Sequence, residues 1–570
     1  MDTGQKSESY TCGSAEVPLL GRCIGQVLDE TAQRFPHQDA LVVRHQAKTY
    51  SFRELHDEVE LVARALLSLE IKKNDRVGIW STNSAEWVVI QFATAKIGAI
   101  LVSINALNRA VELEHVLRQS ECQTLFLMEG FRDASYISMI KQICPEIDSC
   151  AVGDLNSEKL PYLRTVICIG MDAPRGMMSW TDLLGLGRDS PIGLLRARES
   201  KLEFDDPINI QFTSGTTGLP KGATLSHHNI VNNAMLVAKA MHLTHLDRLC
   251  IAVPFYHCFG MVLANMACVV SGATMVLPAA YFDPETTLRT IQEERCTALH
   301  GVPTMFIAEL DHPTFTEFDL RSLRTGIMSG SPCPIEIMRR VVKEMHCRGL
   351  TIAYGLTEAS PVITQTTIDD PIDLRVTTVG KALPHTEVKV VDPATGEMVP
   401  IGVQGELCTR GYLVMKGYYK DPEATNAVID AEGWLHTGDL GVLDRYGYLK
   451  ITGRAKDVII RGGENIYPRE VEEFLYLCPD IADVQVIGVP DAKYGEVLVA
   501  WVKSRPGKTL TAEELMEFCR GKIADYKIPR YLKLVDTFPM TGTGKIQKFK
   551  MREISISDLG HRDVGKSEAV

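Results

Sequence analysis

Residues 213–222, T-S-G-T-T-G-L-P-K-G, confine the surrounding chain to few folds. Four hydroxyl side chains (Thr213, Ser214, Thr216, Thr217), three glycines (Gly215, Gly218, Gly222) and Lys221 crowd around Leu219 and Pro220. Glycine lets the backbone approach a ligand closely. Freed N–H groups and hydroxyls then make a concave nest for anionic oxygens, and the lysine adds a point charge. Ile208, Ile210 and Phe212 alternate with polar residues, which predicts a half-buried strand leading in. Residues 222–226 predict a second strand, and a helix is expected only from about Asn229. The segment is therefore strand, phosphate loop, strand. It is not a Walker A loop, because Lys221 follows Pro220 and Gly222 stands where Ser or Thr is required. The plainer alternative is an ordinary hairpin turn, which leaves the lysine and the hydroxyl density unexplained.

Across the first two-thirds of the chain, short apolar runs at 41–44, 76–80, 124–128, 165–170 and 273–277 predict strands. Residues 86–99 have helical periodicity and are expected to bury one face. Such alternation argues for parallel sheets with helices packed on them. Residues 187–206 read as a polar surface connection. Residues 261–278 are the most apolar stretch, but Asn265 and a turn at Ser271-Gly272 favour a buried helix and strand over a membrane span. After about residue 385 the texture changes to short strands (387–391, 405–409, 448–451). The best domain boundary is 453–457, G-R-A-K-D. Beyond it a helix (469–477), two strands (484–489, 497–502) and a second helix (512–522) predict a small α+β domain.

With 570 residues the chain has room for several cores. Its net charge of −12 argues against nucleic acid or an anionic membrane as the main partner. Fifteen cysteines without a C-x-x-C pair read as free thiols, with no zinc site expected. There is no G-x-S-x-G, so no nucleophile elbow is expected.

Further motifs follow in order: Tyr354-Gly-Leu-Thr-Glu358, His436-Thr-Gly-Asp439, Gly453-Arg-Ala-Lys-Asp457, Arg461-Gly-Gly-Glu-Asn-Ile-Tyr-Pro468 and Thr543-Gly-Lys-Ile546. Together with the phosphate loop they resemble the signatures of the adenylate-forming superfamily of acyl-CoA synthetases, luciferases and adenylation domains. The resemblance covers roughly residues 20–550. Within the superfamily it runs to the medium-chain fatty acid–CoA ligases. It implies an α/β fold with a large N-terminal domain (1–453) of parallel sheets and helices carrying a small β-barrel-like subdomain. A hinge (454–457) and a small mobile α+β lid (458–570) would follow.

The same resemblance implies roles. Thr213, Ser214, Gly215, Thr216, Thr217, Gly218, Leu219, Pro220 and Lys221 would hold the ATP phosphates. Tyr354 would lie along adenine, Thr357 would reach the α-phosphate, and Glu358 would ligate Mg2+. Asp439 and Arg454 would bind ribose. Lys545 would bridge the incoming carboxylate and the α-phosphate. Lys456 would be the pivot, and Gly462 and Gly463 would border the coenzyme A tunnel. Residues 254–260, P-F-Y-H-C-F-G, resemble the segment lining the acyl pocket, and Gly330 its far wall. His257 is read either as a gate for the acid or as a satisfied core histidine.

The implied reaction is ATP-dependent activation of a fatty acid through an acyl-adenylate, then transfer to CoA. An adenylation domain or a luciferase-like enzyme shares these motifs. A non-catalytic nucleotide sensor would be expected to lose Lys545 or Glu358, and both are present. The resemblance implies mitochondria. The first ten residues lack arginine and make a poor transit peptide, so the cytoplasm is the alternative. Acyl length and oligomeric state are not legible.

Overall fold

The structure, a computed structural model, describes residues 8–170, 172–213, 220–491, 493–541 and 545–564. Two large sheets organise the first 380 or so residues. One is nine-stranded. Asp39–Val43, Thr274–Leu277, Arg248–Ile251, Ala298–Gly301, Thr325–Met328 and Gly349–Gly355 lie parallel in that spatial order. The other is eight-stranded, with Thr165–Cys168, Thr124–Leu127, Arg76–Trp80, Ile100–Ile104 and Pro207–Thr213 parallel. Most of these strands are short, largely apolar and buried along their whole length, as strands covered on both faces are.

The helix Ala85–Ile97 is buried on every face, where the sequence predicts one buried face. It is enclosed by helices Ile24–Arg34 and Phe52–Ser68 and by strand Ile100–Ile104. Its one cation, Lys96, has a fully buried side chain and is met by Asp29 at 2.6 Å and Glu199 at 2.7 Å. A buried charge is tolerated only when paired in this way.

Residues 187–206 are a second correction. They include the end of helix Trp180–Asp189 and the whole of helix Ile192–Glu199. Leu195 is buried beneath the latter, and Arg198 donates to the carbonyls of Ile71 and Ile97. The apolar run from 261 forms a π-helical turn (Met261–Met266), a helix (Ala267–Ser271) and a strand (Thr274–Leu277). Among the described residues no helix is long and apolar enough to cross a membrane.

A five-stranded antiparallel sheet follows, built from Thr386–Val391, Gly405–Gly411, Leu435–Leu443 and Leu449–Arg454 with Tyr10–Cys12 at one edge. Beyond it stands a separate sheet of Ile459–Arg461, Glu464–Ile466, Ile481–Asp491, Gly495–Ser504 and Tyr531–Leu534. Each face of that sheet has its own core. Val484, Val486, Leu498 and Val502 pack with Val471, Leu475 and Leu515 on one side. Val489, Val499 and Trp501 pack with Phe538 and Met551 on the other. The fold is the mixed α/β arrangement expected, with a large N-terminal region and a small C-terminal one.

Candidate active site

The strands on either side of residues 214–219 pair with each other. Thr213 and Lys221 are register partners in the antiparallel pair Pro207–Thr213 and Lys221–Ser226. The carbonyl of Pro220 lies 3.0 Å from His115 Nε2. Ser214, Gly215, Thr216, Thr217, Gly218 and Leu219 lie outside the described residues, as do Gly542, Thr543 and Gly544. The helix after the second strand starts at His227, capped by Ser226, two residues earlier than expected.

The strand Gly349–Gly355 delivers Tyr354 and then a short 3-10 turn, Thr357–Ala359. That turn hugs its own return strand: a Cβ on Gly355 would lie 1.9 Å from the Pro361 carbonyl oxygen, so only glycine fits. Glu358 points its Oε1 at Tyr418, whose hydroxyl donates at 2.8 Å, and at Thr213 Oγ1, 3.4 Å away. The Lys221 ammonium sits over the same Tyr418 ring at 5.3 Å. Tyr418 thus joins the lysine of one motif to the carboxylate of another, and sequence reading missed it. It lies on a two-residue strand, Gly417–Tyr418, pairing with Lys221–Ser226, and nothing in its local sequence signals that partner.

The five-stranded sheet contributes the other wall. Asp439 and Arg454 are register partners, and Arg454 Nε is 2.9 Å from Asp439 Oδ1. Tyr354 donates its hydroxyl to Asp439 Oδ2 at 2.9 Å. Burial first, then the Asp439 charge, raise the phenol well above its ordinary range, so it stays a donor. Each Asp439 oxygen keeps a further lone pair for an incoming hydroxyl. Thr437 Oγ1 receives the Asp439 N–H at 3.1 Å and fixes the turn.

Lys545 comes from the far end of the chain to this place. Its loop is closed by two bonds: the Thr541 N–H donates to the Lys545 carbonyl at 2.7 Å, and the Lys545 N–H to Thr541 Oγ1 at 3.1 Å. Burial lowers the ammonium below its ordinary value, while Cys258, Glu358 and Asp439 oppose that and Arg454 adds to it. Those four groups belong to four different stretches of sequence, and the lysine lies among them.

Cys258 lies 3.7 Å from Thr357 Oγ1. Beside it, His257 Nδ1 accepts the Phe259 N–H at 3.1 Å and caps a short helix. Burial holds His257 down to about 3, with Lys545 pressing the same way. It is a neutral ring whose remaining N–H, on Nε2, is the donor it can offer. Gly330 has φ +91° and backs onto Val302. Gly462 and Gly463, φ +61° and +91°, are exposed on the C-terminal unit. Lys456 lies in the 3-10 turn Ala455–Asp457 between the last two sheets.

Two sheet ends, a carboxylate held by a tyrosine and an arginine, and a lysine carried in from the C-terminal unit fit the adenylate-forming class. The chain belongs to it: the AMP-binding enzyme family matches residues 28–419, and the AMP-binding enzyme C-terminal domain matches 470–545. It is 52% identical over 538 residues to the putative acyl-CoA synthetase YngI of Bacillus subtilis (strain 168), covering 94% of this chain and 98% of that protein. It is 44% identical over 554 residues to the mitochondrial medium-chain acyl-CoA ligase ACSF2 of Danio rerio, covering 97% and 91%. The anthranilate CoA ligase AuaEII, solved with anthranoyl-AMP, superposes with a TM-score of 0.84 at 26% identity, covering 96% and 99%. ATP-bound MatB from Rhodopseudomonas palustris does so with 0.79 at 28%, covering 93% and 99%. The protein is an AMP-forming acyl-CoA synthetase by family, and it uses ATP.

Proposed function

We propose that the protein activates a medium-chain fatty acid to its CoA thioester. The carboxylate attacks the α-phosphorus of ATP, pyrophosphate leaves and an acyl-adenylate forms. The CoA thiol then attacks the acyl carbon and AMP leaves. Neither step needs a side-chain nucleophile; both need charge placed where it develops. The observation that carries this reading is the convergence of Lys545 on Cys258, Glu358, Asp439 and Arg454 from the opposite end of the chain. A lysine placed there neutralises charge shared by the attacking carboxylate and the α-phosphate.

In this reading Tyr354, Asp439 and Arg454 hold the nucleoside, and the 213–221 loop holds the β- and γ-phosphates. The oxygen-only donors Glu358 and Thr213 suit Mg2+, which prefers one or two carboxylates plus substrate phosphates. When bound, the ion would offset phosphate charge. His257 Nε2–H would orient the acid. The acyl chain would run toward the buried apolar side chains Phe259, Val302 and Met305, beside Gly330.

In this reading, Lys545 near Glu358 and Asp439 with Gly462-Gly463 exposed suits the first half-reaction. Rotation of residues 458–570 about Lys456 would withdraw Lys545 and bring the glycines to the thiol tunnel. Medium-chain preference rests on relatives named as medium-chain ligases. The test is product analysis with ATP, CoA and straight-chain acids from acetate to palmitate. The reading expects acyl-CoA and AMP with a maximum at intermediate length. A maximum with short, long or aromatic acids would replace the medium-chain assignment, and ADP in place of AMP would overturn the reaction.

A further inference from the structure

Beside the 436–439 turn, three side chains of two neighbouring strands meet on the five-stranded sheet. Glu406 and Cys408 are two apart on strand Gly405–Gly411, and the register with the neighbouring strand shifts between them. His436, on the neighbouring strand, is the register partner of Cys408. His436 Nδ1 is 3.0 Å from Glu406 Oε2 and 3.4 Å from Cys408 Sγ, and the three donor atoms all lie within 4.8 Å of one another. A tetrahedral zinc with bonds of about 2.3 Å to sulfur and about 2.0 Å to nitrogen holds that S···N pair at about 3.5 Å. The observed spacing therefore needs little movement.

Two independent features support a ligand here. The second ring nitrogen, Nε2, faces Asp430 Oδ2 at 3.7 Å, while Asp430 Oδ1 is held by the N–H groups of Glu432 and Trp434. A carboxylate behind a ligating histidine is the usual arrangement that fixes its tautomer. The trio also has both an anchored side and an open side. Cys408 is fully buried against Val391 and Trp434, Glu406 Oε1 accepts the Gly438 N–H at 3.1 Å, and His436 is one-third exposed.

We propose that Glu406, Cys408 and His436 form a site for a thiolate- and imidazole-preferring divalent ion such as Zn2+, leaving one position open to solvent. Binding releases the Cys408 thiol proton to solvent and moves the imidazole proton to Nε2, facing Asp430. The ion replaces the Glu406–His436 hydrogen bond. Because Gly438 and Asp439 follow two and three residues after His436, occupancy would stiffen the turn that carries the Asp439 carboxylate. Sequence spacing hides such a site, since it lacks a C-x-x-C pair and its ligands meet only through strand pairing.

The test uses full-length, reduced protein stripped with chelator and titrated with Co2+, read by its thiolate charge-transfer and tetrahedral ligand-field bands. One equivalent should produce both bands in the native protein and in Cys12→Ser, and Zn2+ should abolish them. Cys408→Ser should remove the charge-transfer band. His436→Gln, at a more exposed position and less able to disturb the fold, should weaken Co2+ binding at least tenfold with an unchanged circular dichroism spectrum. No charge-transfer band in native protein, or bands that persist in both variants, overturns the proposal.

Discussion

The smallest unit that matters here is the Asp439 carboxylate with its two partners. Tyr354→Phe deletes one charge-assisted donor and leaves the ring, and bonds to charged groups contribute about 1.5–3 kcal/mol. The KM for ATP should rise about tenfold with little change in kcat; an unchanged KM in steady-state assays would remove Tyr354 from the nucleoside site. Lys545 gives a prediction in pH. Its folded value lies below the ordinary 10.5 because burial disfavours the cation. If Lys545 serves adenylation as proposed, its cation is then lost at lower pH than for a free lysine. In acid-dependent pyrophosphate exchange, kcat/KM should fall as pH rises through that lowered value. Lys545→Arg, which stays charged, should carry the alkaline limb upward in whatever activity it retains. A limb unmoved in the variant would assign it to another group. At this scale the sequence names Asp439, Arg454 and Lys545 because each sits in a dense motif. It is silent on Tyr418, whose bond to Glu358 depends on a strand pairing between residues nearly 200 apart.

At the scale of elements, the placement of Lys545 depends on the final helix, Lys548–Val564. Lys548 pairs at 2.6 Å with Glu472, whose side chain is nearly inaccessible and also accepts the Val486 N–H. Trp501 Nε1 donates to Ser555 at 2.8 Å from the sheet below. Lys548→Met leaves a buried carboxylate without its cation, a change that typically costs about 3 kcal/mol or more. Hydrogen exchange should speed up in that helix and in strand Ile481–Asp491, while the two large sheets keep their protection. Equal protection throughout would show that the ion pair contributes nothing. Strands and the short C-terminal helices are legible because their apolar runs end at turn residues. The helix Ala85–Ile97 is legible as a helix but its burial on every face is not, because Glu86 and Lys96 find Lys48, Asp29 and Glu199 only through the fold. Helix Ile192–Glu199 is missed for the reverse reason: its charges hide a single buried leucine.

For the whole molecule, two half-reactions would be served by two faces of the C-terminal unit. Gly463 is exposed, and a side chain added there meets no atom within 4 Å, but its φ of +91° disfavours any L residue. Gly463→Leu should suppress transfer of a supplied acyl-adenylate to CoA at least a hundredfold and leave adenylation near the native rate. Lys545→Ala should do the opposite. Both halves lost together in either variant would dissolve the division of labour. The α/β class, the order of the motifs and the distinct C-terminal unit are legible because each motif carries its own spacing. The state of the C-terminal unit is not, since nothing local says whether Lys545 or Gly463 faces the nucleotide. The most direct measurement is ATP–pyrophosphate exchange without CoA, with acids from acetate to palmitate, in native protein and in Lys545→Ala. The account predicts exchange that requires the acid, peaks at intermediate chain length and falls at least a hundredfold in the variant. Exchange independent of the acid, or undiminished without Lys545, would contradict it.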